Sequence, residues 1–165
     1  LLRGKSFMQP RVHFFEGKAG VENVMNDSLD SSGPIYCITS VEKWLNSDLQ
    51  EFVQNYTNIR LFDKKIPLQG IAQDTEEARR FLNLDNPFTS FRFVEDVDDL
   101  FDNITNIYDN KVAIVCPERD YEFGVLIESE EFAKTQKSIF KLAWKGALVQ
   151  NGESKNKDRK RKRKA

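Results

Sequence analysis

Asn103-Ile-Thr-Asn-Ile-Tyr-Asp-Asn-Lys-Val-Ala-Ile-Val-Cys116, with Glu122-Phe-Gly-Val-Leu-Ile-Glu-Ser129 after it, is the stretch that decides the fold. Ile104, Thr105, Ile107 and Tyr108 favour a strand. Asp109-Asn110 is a two-residue turn signal, because both side chains tolerate positive φ. Lys111 to Cys116 is almost continuously apolar, which predicts a strand buried on both faces. Pro117 to Tyr121 leads to a third strand, Glu122 to Glu128. Ser129 stands where a helix N-cap belongs, and Glu130 and Glu131 suit the positive end of the helix dipole. Phe132, Gln136, Ile139, Phe140, Ala143, Trp144 and Ala147 recur at helical spacing. They predict a broad apolar stripe, with Phe132, Ile139, Phe140 and Trp144 buried against a sheet. This is a packing unit with no sign of a reaction centre.

Outward from that unit, strands and helices alternate. Arg11 to Glu16 reads as a strand, Gly17-Lys-Ala-Gly20 as a turn, and Val21, Val24, Met25 and Leu29 as a short amphipathic helix. Asp30-Ser-Ser-Gly-Pro34 breaks the chain. Ile35 to Thr39 is apolar on both faces and predicts a central strand. Ser40 is placed to cap one long helix carrying Leu45, Leu49, Phe52, Tyr56, Ile59 and Phe62 to an end near Lys64 and Lys65. Ile66 to Ala72 is a strand, with Pro67 near its start. Asp74-Thr-Glu-Glu77 resembles a capping box for a short helix to Leu84, and Phe88 to Val94 is the next strand. The expected class is α/β: a mixed, largely parallel, seven-stranded sheet with helices on both faces.

A chain of 165 residues suits one domain plus a tail. It begins with Leu1 rather than Met, so a fragment of a longer protein is expected. The expected divisions are a linker over 1–9, a domain over 10–149, and a basic tail over 150–165, disordered by composition. No run of 18 apolar residues is present, so no membrane contact is expected, and Leu1 to Pro10 lacks the core of a signal peptide. Cys37 and Cys116 sit inside apolar strands with no Cys or His at ligand spacing. They read as buried free thiols of a reducing cytoplasm, with a disulfide between neighbouring strands as the alternative. No metal or cofactor is expected.

Formal charge is segregated. Glu153 to Lys164 holds eight basic and two acidic residues, net +6, while the rest holds 17 basic and 24 acidic residues, net −7. Lys155, Lys157, Arg159, Lys160, Arg161, Lys162, Arg163 and Lys164 form the tail's basic block. It suits phosphate contact or targeting as well as it suits a solubilising terminus, and it has no interleaved aromatic to stack on bases. Glu95, Asp96, Asp98, Asp99 and Asp102 lack the alternating ligands and central Gly of an EF-hand and read as a solvated acidic loop, with weak Ca²⁺ or Mg²⁺ attraction as the alternative. Gly17-Lys-Ala-Gly20 lacks the full glycine fingerprint of a dinucleotide site and the Gly-Lys-Thr of a P-loop. His13 is the one histidine; it could meet Ser40 or a cysteine in space, but a structural role on its strand is the expectation.

Four stretches together resemble one family. They are Arg11-Val-His-Phe-Phe-Glu-Gly-Lys-Ala-Gly-Val21, Asn106-Ile-Tyr-Asp-Asn-Lys-Val-Ala-Ile-Val115, Glu122-Phe-Gly-Val-Leu-Ile-Glu-Ser129 and Thr135-Gln-Lys-Ser-Ile-Phe-Lys-Leu-Ala-Trp144. The chain from Gln9 to Ala147 is similar to the C-terminal domain of TrmB-like transcriptional regulators. The resemblance implies a phospholipase-D-like fold that follows a winged helix-turn-helix. That superfamily's catalytic signature is His-x-Lys-x4-Asp. Here no His or Lys precedes the hairpin turn in Asp102 to Asn110, and Phe15 stands at the Lys position after His13. The resemblance therefore implies a fold kept without phosphodiesterase chemistry.

The expected function is a non-catalytic effector-sensing or dimerising regulatory domain, with DNA read by a winged helix ahead of Leu1. A homodimer and a small-molecule effector are the expected partners, with weak non-specific nucleic-acid contact through the tail. Open α/β sheets bind ligands outside the carboxyl ends of their strands, which singles out Glu16, Gly17, Thr39 and Ser40. Two rival functions stand beside it: a divergent phosphodiesterase or nuclease acting through His13, and a nucleic-acid-binding domain acting through the tail.

Overall fold

A computed structural model describes residues 9–82, 86–95 and 100–149. The proposed tail, all but Gln9 of the proposed linker, and Asp96, Asp98 and Asp99 lie outside the described residues. The strands are β1 (Arg11–Glu16), β2 (Ile35–Thr39), β3 (Leu68–Gln73), β4 (Thr89–Val94), β5 (Ile104–Tyr108), β6 (Lys111–Cys116), β7 (Phe123–Glu128) and β8 (Leu148–Val149). The helices are α1 (Gly17–Asp27), α2 (Val41–Leu45), α3 (Gln50–Asn58), α4 (Glu76–Phe81) and α5 (Glu130–Gly146).

One sheet has the order β1-β7-β6-β5-β2-β3-β4-β8. It is mixed and helix-flanked, as expected, and the two-residue β8 joins the seven expected strands at the β4 edge. The expectation of a largely parallel sheet is corrected. Only β2–β3 and β3–β4 are parallel, and the other five pairings are antiparallel. The reason is connection length. Parallel neighbours need long crossovers, and only the segments holding α2–α3 and α4 supply them between sheet neighbours. The β5–β6 hairpin closes on two residues, with Tyr108 opposite Lys111 and Asp109 at φ 44°.

Helices α1 to α4 cover one face and α5 the other. Val21, Val24 and Met25 of α1 sit in the larger core with Tyr56, Ile104 and Val115. Each such side chain is worth about 1.5–3 kcal/mol of burial. Gly17, at φ 73°, starts α1 directly at the end of β1, so the expected turn and helix are one element. Two expected caps form, Ser40 accepting from Lys43 N–H and Ser129 from Phe132 N–H; the expected box on Asp74 and Glu77 is corrected, since α4 is capped one residue later by Thr75, which accepts from Ala78 N–H.

Two helix expectations are corrected. The single helix after Ser40 is broken into α2, α3 and a π-helical segment, Ile59–Lys64. At the break, Ser47 Oγ donates to the Trp44 carbonyl and accepts from Leu49 N–H, so a side chain replaces the helical ladder. On α5, Ala133 and Phe140 are buried and Trp144 half-buried, but Phe132 is 37% and Ile139 52% exposed. The inward stripe lies one position around the helix from the expected one. Trp144 is held by stacking on Phe140 and by the Arg92 guanidinium 4.5 Å from its ring centroid.

Candidate functional site

A cavity of about 690 Å³ lies between the helical layer and the sheet. Its floor is sheet: Cys37 and Thr39 of β2, Leu68 of β3, Phe91 of β4, Ile104 and Asn106 of β5. Its walls are Val41, Trp44 and Leu45 of α2, Val53 and Tyr56 of α3, Leu61 and Phe62 of the π-helical segment, and Phe81 and Leu82 at the end of α4. The volume falls inside the range of roughly 300–1,000 Å³ typical of small-molecule sites. The alternation of β2 makes it possible: Ile35, Cys37 and Thr39 face α3 while Tyr36 and Ile38 face α5.

Gln54, Asn58, Glu77 and Arg80 give the cavity an exposed polar rim, and its buried polar groups are held in place. Thr39 Oγ1 accepts from Trp44 Nε1 at 3.1 Å. Tyr56 shares a 2.6 Å hydrogen bond with Ser28. Burial pushes the Tyr56 phenol up to about 12 and the Cys37 thiol likewise to about 12, so both are neutral at ordinary pH. Arg60 is the exception. It is only 3% exposed yet cationic, because a guanidinium does not lose its proton in proteins even where burial lowers its pKa. Its Nη1 donates to the Ile66 carbonyl at 2.8 Å and the Phe88 carbonyl at 3.3 Å, and its Nη2 to Thr89 Oγ1 at 2.8 Å. Among the described residues no carboxylate pairs with it.

A second polar cluster lies at the opposite end of the central strands. Lys111 Nζ stands 2.8 Å and 3.0 Å from the two carboxylate oxygens of Asp27, and 3.8 Å from Glu128. Tyr108 donates to Asp27 at 2.8 Å. Burial and then that carboxylate raise the Tyr108 pKa. Glu128 also meets Arg11 at 3.0 Å and His13 at 3.3 Å. Reading the His-x-Lys-x4-Asp pattern across the hairpin turn sets its Lys on Lys111, with Asp109 and Cys116 at the His and Asp positions. Lys111 stands just after the turn, outside the Asp102 to Asn110 stretch in which the pattern is absent. Asp109 is spent locally: its carboxylate accepts from Ser32 Oγ at 2.7 Å and its carbonyl from Lys137.

The four expected ligand residues are not gathered in one place. Glu16 and Gly17 are at the end of the outermost strand, and Gly17 N–H donates to the Glu122 carbonyl. Three strands separate them from Thr39 and Ser40. Thr39 alone of the four lines the cavity, while Ser40 caps α2. His13 meets Glu128, not Ser40 or a cysteine, and Cys37 and Cys116 are free and buried. Among the described residues no group of three His, Cys, Asp or Glu side chains could hold a metal, and no helix is long and apolar enough to cross a membrane.

No family model matches the sequence, and no curated protein matches it. Solved structures do match the fold. Nuc from Salmonella typhimurium, a phospholipase D family member, aligns with a TM-score of 0.65 at 12% identity, over 87% of this chain and 100% of its own. NucT from Helicobacter pylori aligns with a TM-score of 0.62 at 10% identity, over 86% of this chain and 99% of its own. TrmBL2, an archaeal chromatin protein, aligns with a TM-score of 0.50 at 13% identity, over 90% of this chain and 57% of its own. Identities this low speak for the fold alone, and the mixed sheet between helical layers is a phospholipase-D-like fold.

Proposed function

We propose that this chain is a non-catalytic, effector-sensing and dimerising domain of a TrmB-like transcriptional regulator. The observation that carries the reading is the cavity of about 690 Å³, walled mainly by apolar side chains with the buried Arg60 among them. Two further features support it. The catalytic pattern keeps only its Lys, and that Lys is fastened to Asp27. The outer face of α5 leaves Ile139 52% and Leu142 73% exposed, a surface suited to a second copy. TrmBL2, described as showing a novel mode of DNA binding, belongs to the same fold group, and here a preceding winged helix would read DNA.

A second reading, a divergent phosphodiesterase, has one observation in its favour: His13 and Lys111 both reach Glu128. One pair of measurements separates the two. A thermal-shift panel of small metabolites is expected to raise the melting temperature with at least one of them. Hydrolysis of bis(p-nitrophenyl) phosphate is expected to stay at the buffer rate, unchanged in His13→Ala and Lys111→Met. Turnover that disappears in either variant would transfer the function to the enzyme reading.

A further inference from the structure

We infer that the cavity takes an amphipathic organic anion, a monocarboxylate on an apolar body, with Arg60 as its counter-ion; this rests on the reading of the cavity as an effector site. Removing a guanidinium from water is costly unless an opposite charge meets it. Arg60 is as buried as the aliphatic core, at 3% exposure, and among the described residues it meets carbonyls and a hydroxyl but no carboxylate. Those acceptors occupy three of the five N–H groups of a guanidinium. They also fix the plane of the fork before any ligand arrives, so little ordering is left for binding to supply.

The local backbone explains why Arg60 faces inward. It lies in the π-helical segment Ile59–Lys64, which ends on Lys65 at φ 53°. The Arg60 carbonyl accepts from Ile66 N–H at 3.0 Å. Arg60 follows Val53 by seven residues and Tyr56 by four, so helical spacing carries it on along the buried face of α3, and π turns of the kind that follow it recur at functional sites.

The walls then choose the class of anion. Leu45, Val53, Leu61, Phe81, Phe91 and Ile104 line the same space, so the ligand's body is apolar. The other charged lining residues, Glu77 and Arg80, are exposed on α4, and Arg80 pairs with Glu76 at 2.9 Å. The buried charge facing the apolar walls is therefore that of Arg60. A guanidinium fork matches a carboxylate in geometry as well as charge.

The test uses the full chain and three probes with one alkyl body: decanoate, decanol and decylammonium, each below its micelle concentration. Isothermal titration is expected to rank decanoate tightest, by about tenfold or more over decanol, the scale of a charge-assisted pair. Arg60→Gln should bring decanoate down to the level of decanol, and Arg60→Lys should restore part of the difference. Because the ranking is read on the unaltered chain, it decides even if Arg60→Gln fails to fold. Equal binding of decanoate and decanol would overturn the anion inference and leave the cavity as an effector site for neutral ligands. Binding of none of the three would also overturn it, and effector sensing would fall only if the metabolite panel were silent as well.

Discussion

The ring of Phe91 occupies the space that a side chain on Gly70 would need. The two residues are opposite each other on the parallel strands β3 and β4, and a Cβ on Gly70 would sit well inside contact with the Phe91 Cε1 and Cδ1 atoms. Phe91 is also part of the cavity lining, so Gly70 shapes the site without touching a ligand. Gly70→Ala is expected to force the ring aside at a cost of about 1–3 kcal/mol, the usual scale of overpacking. Urea denaturation should show a lowered midpoint at unchanged slope, and a wild-type midpoint would mean that the ring relocates freely.

The buried thiol and phenol give the fold an alkaline limit. Burial raises Cys37 from 9.0 to about 12 and Tyr56 from 10.0 to about 12. A group whose folded pKa is raised contributes stability in full below its unfolded pKa and loses it as pH climbs toward the folded value. Stability should therefore decline from pH 9 toward pH 12. Between 9 and 10 the excess loss belongs to Cys37 rather than Tyr56. Denaturation midpoints of Cys37→Ala against the parent chain, taken across that interval, should show a flatter decline in the variant. Parallel declines would mean that Cys37 is reached by solvent in the folded state.

What was legible in the sequence was local. Ser40 and Ser129 act as caps because a cap needs only its own side chain and a nearby N–H, and the cap of α4 fell one residue past the expected Asp74. The β5–β6 hairpin was legible because Asp109-Asn110 is a turn in its own right. Sheet direction was not, since β1 reaches β7 across more than a hundred residues. The cavity was not legible either. Apolar periodicity ran through Tyr56, Ile59 and Phe62 as one helix and gave no weight to Arg60, a polar residue on the same buried face as Val53 and Tyr56. Placement at strand ends reached one residue of the cavity lining, Thr39, but put Glu16 and Gly17 beyond three intervening strands.

Leu142 is 73% and Ile139 52% exposed, so replacing them removes little intramolecular packing. Leu142→Glu with Ile139→Glu is expected to shift fold stability by no more than about 0.5 kcal/mol per site, as surface changes do. In sedimentation equilibrium the parent chain is expected to behave as a dimer and the double variant as a monomer. A parent chain that is monomeric at all concentrations would remove the dimerising part of the proposed function and leave the cavity untouched.

The basic tail offers the last separation, between a regulatory domain and a direct nucleic-acid binder. Lys155, Lys157, Arg159, Lys160, Arg161, Lys162, Arg163 and Lys164 are eight cations that can each neutralise one phosphate at most. The logarithm of affinity for duplex DNA should then fall against the logarithm of salt with a slope of magnitude up to roughly 7. Phosphate contacts carry no sequence information of their own, so affinity should not depend on sequence. The rest of the chain carries a net charge of −7 and repels the duplex while attracting the tail, which weakens binding most at low salt. A chain ending at Gly152 should keep its melting temperature and lose the affinity. If it bound duplex DNA as tightly as the full chain, the contact surface would lie on the folded domain, and the regulatory reading would give way to a direct DNA-binding one.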